Sequence, residues 1–340
     1  MVHSSLIALV PVGIITGISC VYALPVWVNL VVHTLVRIYI GGVRSRKLSP
    51  FFKGSQEEPE IKPMNPQEAM RFPLVAASVL ISIYLAIKYT SPELVNLLIS
   101  LYFLVLGIYC LKFYIVAFFK TQSLLEFEWK YSRKIKIPYL MSEEELLEVT
   151  IQDLVAYAVS GPLGFAYFLT KNWILTNVFG LAFSINAIEN LPLGSFKIGY
   201  GLLAGLLVYD VVFVFGTDIM LTVAKKIDAP IKLVFPKPGG DFSMIGLGDI
   251  ILPGVFIAMA LRFDLFRENK KEQKESWVYF KSCLVGYFLG ILCTVGAMVV
   301  MNKEQPALLY LVPACLLSTS LIAFGLKETG LLFKYQEGED

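Results

Sequence analysis

Two apolar stretches decide how this chain folds: Ile198 to Gly216, IGYGLLAGLLVYDVVFVFG, and Met244 to Leu261, MIGLGDIILPGVFIAMAL. Each is long enough to cross a bilayer as a helix, which takes about 17 to 25 apolar residues. Each also carries one carboxylic acid, Asp210 in the first and Asp249 in the second. An ionised carboxylate at bilayer depth costs several kcal/mol or more, so an intramembrane Asp points to function by default. Two of them in consecutive segments sharpen that reading.

The chain around them has the same character. Its 340 residues are 56% hydrophobic and 16% charged, with a mean hydropathy of +0.67, which excludes an ordinary soluble domain. Apolar runs at 6–40, 73–87, 94–111, 154–170, 173–188, 198–216, 244–261, 277–301 and 306–326 predict an all-α, polytopic membrane protein with about nine transmembrane helices. The organisation expected is one membrane-embedded unit over 1–340. Spans one to five occupy 6–196, the Asp-bearing and later spans 197–326, and a tail 327–340. The first run contains Pro11, Pro25, His33 and Arg37 and is too long for one straight helix. It reads as a tilted span continued by an interfacial helix, or as two spans. It has neither a basic n-region nor a small-residue cleavage site, so it is expected to be retained.

Arg and Lys collect on the cytoplasmic side of membrane proteins. They gather here in the first linker (Arg44, Arg46, Lys47, Lys53), the third (Lys130, Arg133, Lys134, Lys136) and the seventh (Arg267, Lys270, Lys271, Lys274). This predicts an N-terminus outside the cytosol and a C-terminus inside it. Lys225, Lys226, Lys232 and Lys237, between the Asp-bearing spans, run against the rule. The net charge is +2 and no basic patch interleaves with aromatics, so no nucleic-acid partner is expected. Cys20, Cys110, Cys283, Cys293 and Cys315 lie in apolar runs without metal-like spacing and read as packed free thiols.

Three linkers have some size. Residues 41–72 read as a solvated loop, and residues 121–152 as an ordered surface loop in preference to a small hairpin. Between Pro230 and Pro236, the sequence Ile231 to Phe235 is rich in β-branched and aromatic residues and predicts a short strand. Lying between the two Asp-bearing helices, it offers an edge to an extended peptide, or serves as a linker on the lipid headgroups.

Both carboxylates fall roughly 8 to 9 Å from the same membrane face at 1.5 Å per residue, so they can meet. A facing pair resists double ionisation and shares one proton at neutral pH. That is the state needed for one carboxylate to deprotonate water while the other polarises a scissile carbonyl. Gly246 and Gly248 permit close backbone approach beside Asp249, and Pro253, four residues on, cannot donate to the Asp249 carbonyl. The chain has two histidines, His3 and His33, so a His-Glu-x-x-His zinc site is excluded; no Gly-x-Ser-x-Gly elbow is present. His33 reads as an interfacial helix-end residue. A proton- or cation-coupled transporter and a non-catalytic membrane scaffold remain as alternatives, although no counterpart of Gly246-Leu247-Gly248-Asp249 occurs in the first half.

Tyr209-Asp210, Gly246-Leu247-Gly248-Asp249 and Pro306-Ala307-Leu308 together resemble the three signatures of the GxGD intramembrane aspartyl proteases, which include presenilins and signal peptide peptidases. The strings Asn177 to Ser184, Ala229 to Pro236 and Gln305 to Pro313 are similar to the signal peptide peptidase branch. The resemblance implies a presenilin-like fold, with Asp210 and Asp249 as the catalytic pair. It also implies that Tyr209, Gly246, Leu247, Gly248, Gln305, Pro306, Ala307 and Leu308 support the substrate site. It further implies substrates that are type II transmembrane helices, chiefly remnant signal peptides, cleaved in the endoplasmic reticulum membrane by a multi-pass protein with a lumenal N-terminus and a cytosolic C-terminus. Its partners would be those helices and the bilayer, with room for a homo-oligomer. No cofactor or metal is implied. The linker between the Asp-bearing spans is short compared with presenilins, so neither self-cleavage nor obligate accessory subunits are expected. Read from the residues alone, Pro306 suits a first helical turn and pushes Gln305 towards extended backbone.

Overall fold

Polar caps and prolines set where the helices begin. Asn65 accepts from the Gln67 amide while Glu68 bonds back to the Asn65 amide, and Pro66 opens the helix. Thr150 and Asp153 form the same reciprocal cap one hairpin later. The computed structural model describes residues 11–19, 24–52, 63–121, 130–135, 145–236, 242–271, 276–301 and 305–338. Helix α1 covers residues 11–19. Then follow α2 (Val26–Arg44), a 3-10 turn (Ser45–Leu48), α3 (Pro66–Tyr89), α4 (Pro92–Thr121), β1 (Lys130–Ile135), β2 (Glu145–Thr150), α5 (Ile151–Thr170), α6 (Trp173–Asn190) and α7 (Phe196–Phe215). The chain continues through α8 (Ile219–Lys226), β3 (Lys232–Pro236), β4 (Phe242–Gly246), α9 (Gly248–Lys271), α10 (Val278–Met301), α11 (Leu308–Gly325) and α12 (Thr329–Lys334).

Among the described residues, α3, α4, α7, α10 and α11 are long and apolar enough to cross a membrane. Helices α2, α5, α6 and α9 also reach eighteen residues or more, so the set is compatible with nine spans. Two of these, α6 and α9, owe their weaker hydropathy to position. In α9 the seven residues from Val255 to Leu261 are each at most 1% exposed, so its neighbours are protein. A helix shielded from lipid tolerates polar side chains that a peripheral helix cannot. Helix α3 shows the opposite pattern, with almost all of its span uncovered.

Several sequence expectations are corrected. The first run, left open between a tilted span with an interfacial helix and two spans, is non-helical at residues 24 and 25, and α2 begins behind Pro25. Because α2 continues to Arg44, His33 lies inside it, 1% exposed, with its ring 4.8 Å from that of Phe235; it is an interior residue. Residues 121–152 include the antiparallel hairpin β1–β2, with Lys130 opposite Thr150 and Ile135 opposite Glu145. The run from Met244 is strand first and helix second. Backbone pairing with β3 holds Phe242 to Gly246 extended, and α9 starts at Gly248. Cys110, Cys283 and Cys315 are buried free thiols, whereas Cys293 is exposed; Cys20 lies outside the described residues.

One end of the bundle is a polar layer. Glu189 at the end of α6 meets Arg44 at 2.6 Å and Lys47 at 2.8 Å. Glu337 binds Arg262 of α9 at 2.6 Å, accepts from the Gly194 amide at 3.0 Å and donates its own amide to the Gly194 carbonyl at 2.7 Å. The segment after α11 therefore folds back and ties α9 to the start of α7. That tie sets the level of the two Asp-bearing helices. Asp210 is 14 residues beyond Phe196 and Asp249 is 13 residues before Arg262, so at 1.5 Å per residue both lie about 20 Å from this layer.

Candidate active site

Asp210 sits on the inward face of α7 and is 3% exposed. Its Oδ2 accepts a hydrogen bond from the Leu308 amide at 3.0 Å. Leu308 is the first residue of α11, and the first amides of a helix have no partner within it. The carboxylate therefore supplies a partner for one of them, at the helix end whose dipole supports negative charge. The preceding turn is closed by its own backbone. The Pro306 carbonyl accepts from Leu309 at 3.2 Å, and the Ala307 carbonyl from Tyr310 and Leu311, both at 3.1 Å. Pro306, Ala307 and Leu308 are buried. Gln305, half-buried before them, accepts from the Tyr310 hydroxyl at 3.4 Å.

Asp249 lies in the first turn of α9 and is half-buried. The entry to that helix is pinned by Leu247, whose amide donates to the Ile231 carbonyl at 2.8 Å and whose carbonyl accepts from Ile250 at 3.1 Å and Ile251 at 2.8 Å. A side chain at Gly246 would meet Asp249 Oδ2 at 3.4 Å, while the space beside Gly248 is open to at least 4 Å. The close backbone approach that Gly248 permits is thus not used by another element among the described residues. The two carboxylates lie within electrostatic reach of each other. Tyr209, half-buried with its ring 4.7 Å from that of Phe213, lies within reach of both. All ten residues singled out in the sequence therefore belong to α7, to the β4–α9 junction or to the start of α11.

Three residues around the pair were not singled out as site residues in the sequence. Asn177 on α6 clamps the outer edge of β3: its Nδ2 donates to the Val234 carbonyl at 2.8 Å and its Oδ1 accepts from the Val234 amide at 2.9 Å. Tyr287 on α10 donates to the Asp249 carbonyl at 3.3 Å. Arg37 on α2 is fully buried and donates to the carbonyls of His33 at 2.7 Å and Asn177 at 3.2 Å. The available signal was a polar residue interrupting an apolar run, which picks out Asn177 and Arg37 but not Tyr287.

A matched pair of carboxylates, with a proline turn on one and a glycine-rich strand-to-helix junction on the other, is now in place. The sequence model described as signal peptide peptidase matches residues 56–339. The chain belongs to the signal peptide peptidase family. The mouse and human signal peptide peptidases are each 38% identical to it over 94% of this chain and 84% of theirs. A solved presenilin family intramembrane aspartate protease shares the fold, with a TM-score of 0.53, covering 87% of this chain and 99% of its own at 12% identity. A member of the signal peptide peptidase family with this fold is an intramembrane aspartic endopeptidase.

Proposed function

We propose that Asp210 and Asp249 are the catalytic pair of this endopeptidase. In this reading the protein hydrolyses peptide bonds within transmembrane helices, chiefly remnant signal peptides and type II segments. It works in the endoplasmic reticulum membrane with its N-terminus lumenal and its C-terminus cytosolic. Residues 6–196 then form the supporting helices and residues 197–326 the catalytic ones. The observation that carries the reading is the 3.0 Å bond from the Leu308 amide to Asp210. It places the Pro306-Ala307-Leu308 turn on one member of a carboxylate pair at matched depth.

Chemically, one ionised carboxylate takes a proton from water as the oxygen attacks the scissile carbonyl, while the protonated partner donates to that carbonyl oxygen. The roles then exchange as the amine leaves. Substrate must first unwind, because a helix hides its carbonyls in hydrogen bonds. The β3–β4 hairpin offers an edge for the unwound segment. Asn177 already occupies the outward backbone groups of Val234, and Val234 is paired with Met244. In an antiparallel ladder both members of such a pair turn their amide and carbonyl away from each other. Met244, and with it Phe242 and Gly246, therefore presents backbone groups on the opposite edge, leading directly to Asp249. Strand addition there would lay the scissile bond towards the pair, past the open space beside Gly248.

The test is cleavage of a signal-peptide-derived helix by the purified protein in detergent, with product masses read by spectrometry beside Asp210→Asn and Asp249→Asn. Cuts within the apolar stretch that vanish in both variants are expected. Proteolysis retained by either variant would overturn the assignment.

A further inference from the structure

Pro253 leaves one carbonyl of α9 without its helical donor, and that carbonyl belongs to Asp249. The group is not left bare. The Tyr287 hydroxyl, brought in by α10, donates to it at 3.3 Å. Tyr287 is itself fully buried and stands beside Thr34 and Arg37 of α2. Arg37 in turn donates to the Asn177 carbonyl at 3.2 Å, and the Asn177 side chain fixes β3. A missing backbone bond at a carboxylate-bearing turn has thus been replaced by a bond from another helix. That helix is anchored to the same frame that holds the strand pair.

We propose that Tyr287 is a positioning residue for Asp249: its hydroxyl stands in for the amide that Pro253 lacks and fixes the first turn of α9 against α10. The proposal rests on Asp249 being one of the catalytic pair. A proline alone would let this turn tilt, since its carbonyl would seek whatever donor approached. With Tyr287 in place the carbonyl has a donor in a fixed direction, and the side chain on the same residue is held to the geometry needed opposite Asp210. The arrangement also keeps the turn free of a rigid helical bond, which leaves the strand-to-helix junction at Leu247 and Gly248 room to accept substrate.

The test is a double-mutant cycle on the full-length protein in detergent, with Tyr287→Phe, Pro253→Ala and the two combined, reading kcat, KM and the thermal unfolding midpoint. Tyr287→Phe is expected to lower kcat at least tenfold while KM stays within about twofold, because the β4 edge is not touched. Pro253→Ala restores the backbone amide, so the combined variant is expected to recover most of the lost kcat. A residue that merely fills space would not be rescued in this way. Should Tyr287→Phe not fold, the combined variant is expected to fold and show a cooperative unfolding transition, and a combined variant that also fails to fold would overturn the proposal. Full activity in Tyr287→Phe, or a combined variant no better than Tyr287→Phe in both readouts, would overturn the proposal. Asp249→Asn is run alongside. Cleavage persisting there would sink the catalytic pair, yet the coupling of Tyr287 to Pro253 would still be read from the unfolding midpoints.

Discussion

The two ends of α9 treat buried charge in opposite ways. At its C-terminal end Arg262, Asp264 and Arg267 are all at most 6% exposed, and each has an ionic partner. Arg262 binds Glu337 at 2.6 Å, and Arg267 binds Glu328 at 2.7 Å and Asp264 at 3.2 Å. Asp264 also accepts from the amides of Phe280 at 2.9 Å and Tyr279 at 3.3 Å, at the start of α10. At its N-terminal end Asp249 lies within electrostatic reach of a second carboxylate, Asp210. A fold that gives each buried charge an opposite one at one end of a helix, and leaves two acids near each other at the other, separates a structural site from a reactive one. Stability should therefore be lost at the first end and activity at the second.

The largest expected effect breaks the reactive end alone. Asp249→Asn or Asp210→Asn keeps shape and volume but removes the titratable acid. Cleavage should fall by about a hundred- to ten-thousandfold or more, while the thermal unfolding midpoint stays at or above that of the unchanged protein. At the paired end the expectation reverses. Glu337→Gln leaves Arg262 buried without its counter-ion, and breaking such a pair costs about 3 to 5 kcal/mol. The side chains of Arg262 and Glu337 are 1% and 3% exposed, so little screening relieves them. Denaturant unfolding should report that loss, with specific activity of the folded fraction preserved.

How much of this was legible before the structure depended on whether the signal was local. Asp210 and Asp249 announce themselves by interrupting apolar runs, and Pro230 and Pro236 delimit β3. The start of α9 was not legible, because Met244 and Ile245 of β4 are as apolar as the helix that follows. A hydropathy window cannot see the change from strand to helix. The hairpin β1–β2 was ranked below an ordered loop because its pairing joins residues 130–135 to 145–150, and a brief alternation such as Lys134 to Ile137 does not reveal a cross-strand partner. His33 was misplaced because the length of α2, which runs on to Arg44, decides whether it lies at an end or inside. Tyr287 is one of 17 tyrosines in the chain, and nothing around it separates a buried donor from an aromatic that faces lipid.

An intermediate effect sharpens the comparison, because it touches the frame of the reactive end without touching an acid. Asn177→Ala removes both hydrogen bonds to Val234 and leaves that strand edge without its partner. Unsatisfied backbone groups of this kind cost about 1 to 3 kcal/mol. The variant should lose stability by that order in denaturant unfolding. Its freed β3 edge should also compete with β4 for extended substrate, raising KM more than it lowers kcat.

The smallest effect asks whether pairing itself, or pairing in a buried and directional geometry, is what the polar layer uses. Glu189 has two cations. Arg44, 18% exposed at its side chain, reaches it with Nε at 2.6 Å and Nη2 at 3.4 Å, and its guanidinium lies 5.0 Å from the centre of the Tyr114 ring. Lys47 meets the same carboxylate at 2.8 Å but is 45% exposed. An exposed single-point pair contributes about 0 to 1 kcal/mol and weakens in salt, whereas a two-point guanidinium pair over an aromatic ring holds position. Lys47→Ala should therefore shift stability by less than about 0.5 kcal/mol, with the shift vanishing at high salt. Arg44→Ala should cost several times more and persist in salt. Equal losses from the two variants would mean that the layer counts charges and is indifferent to their geometry. The contrast between the ends of α9 would then rest on the acids alone.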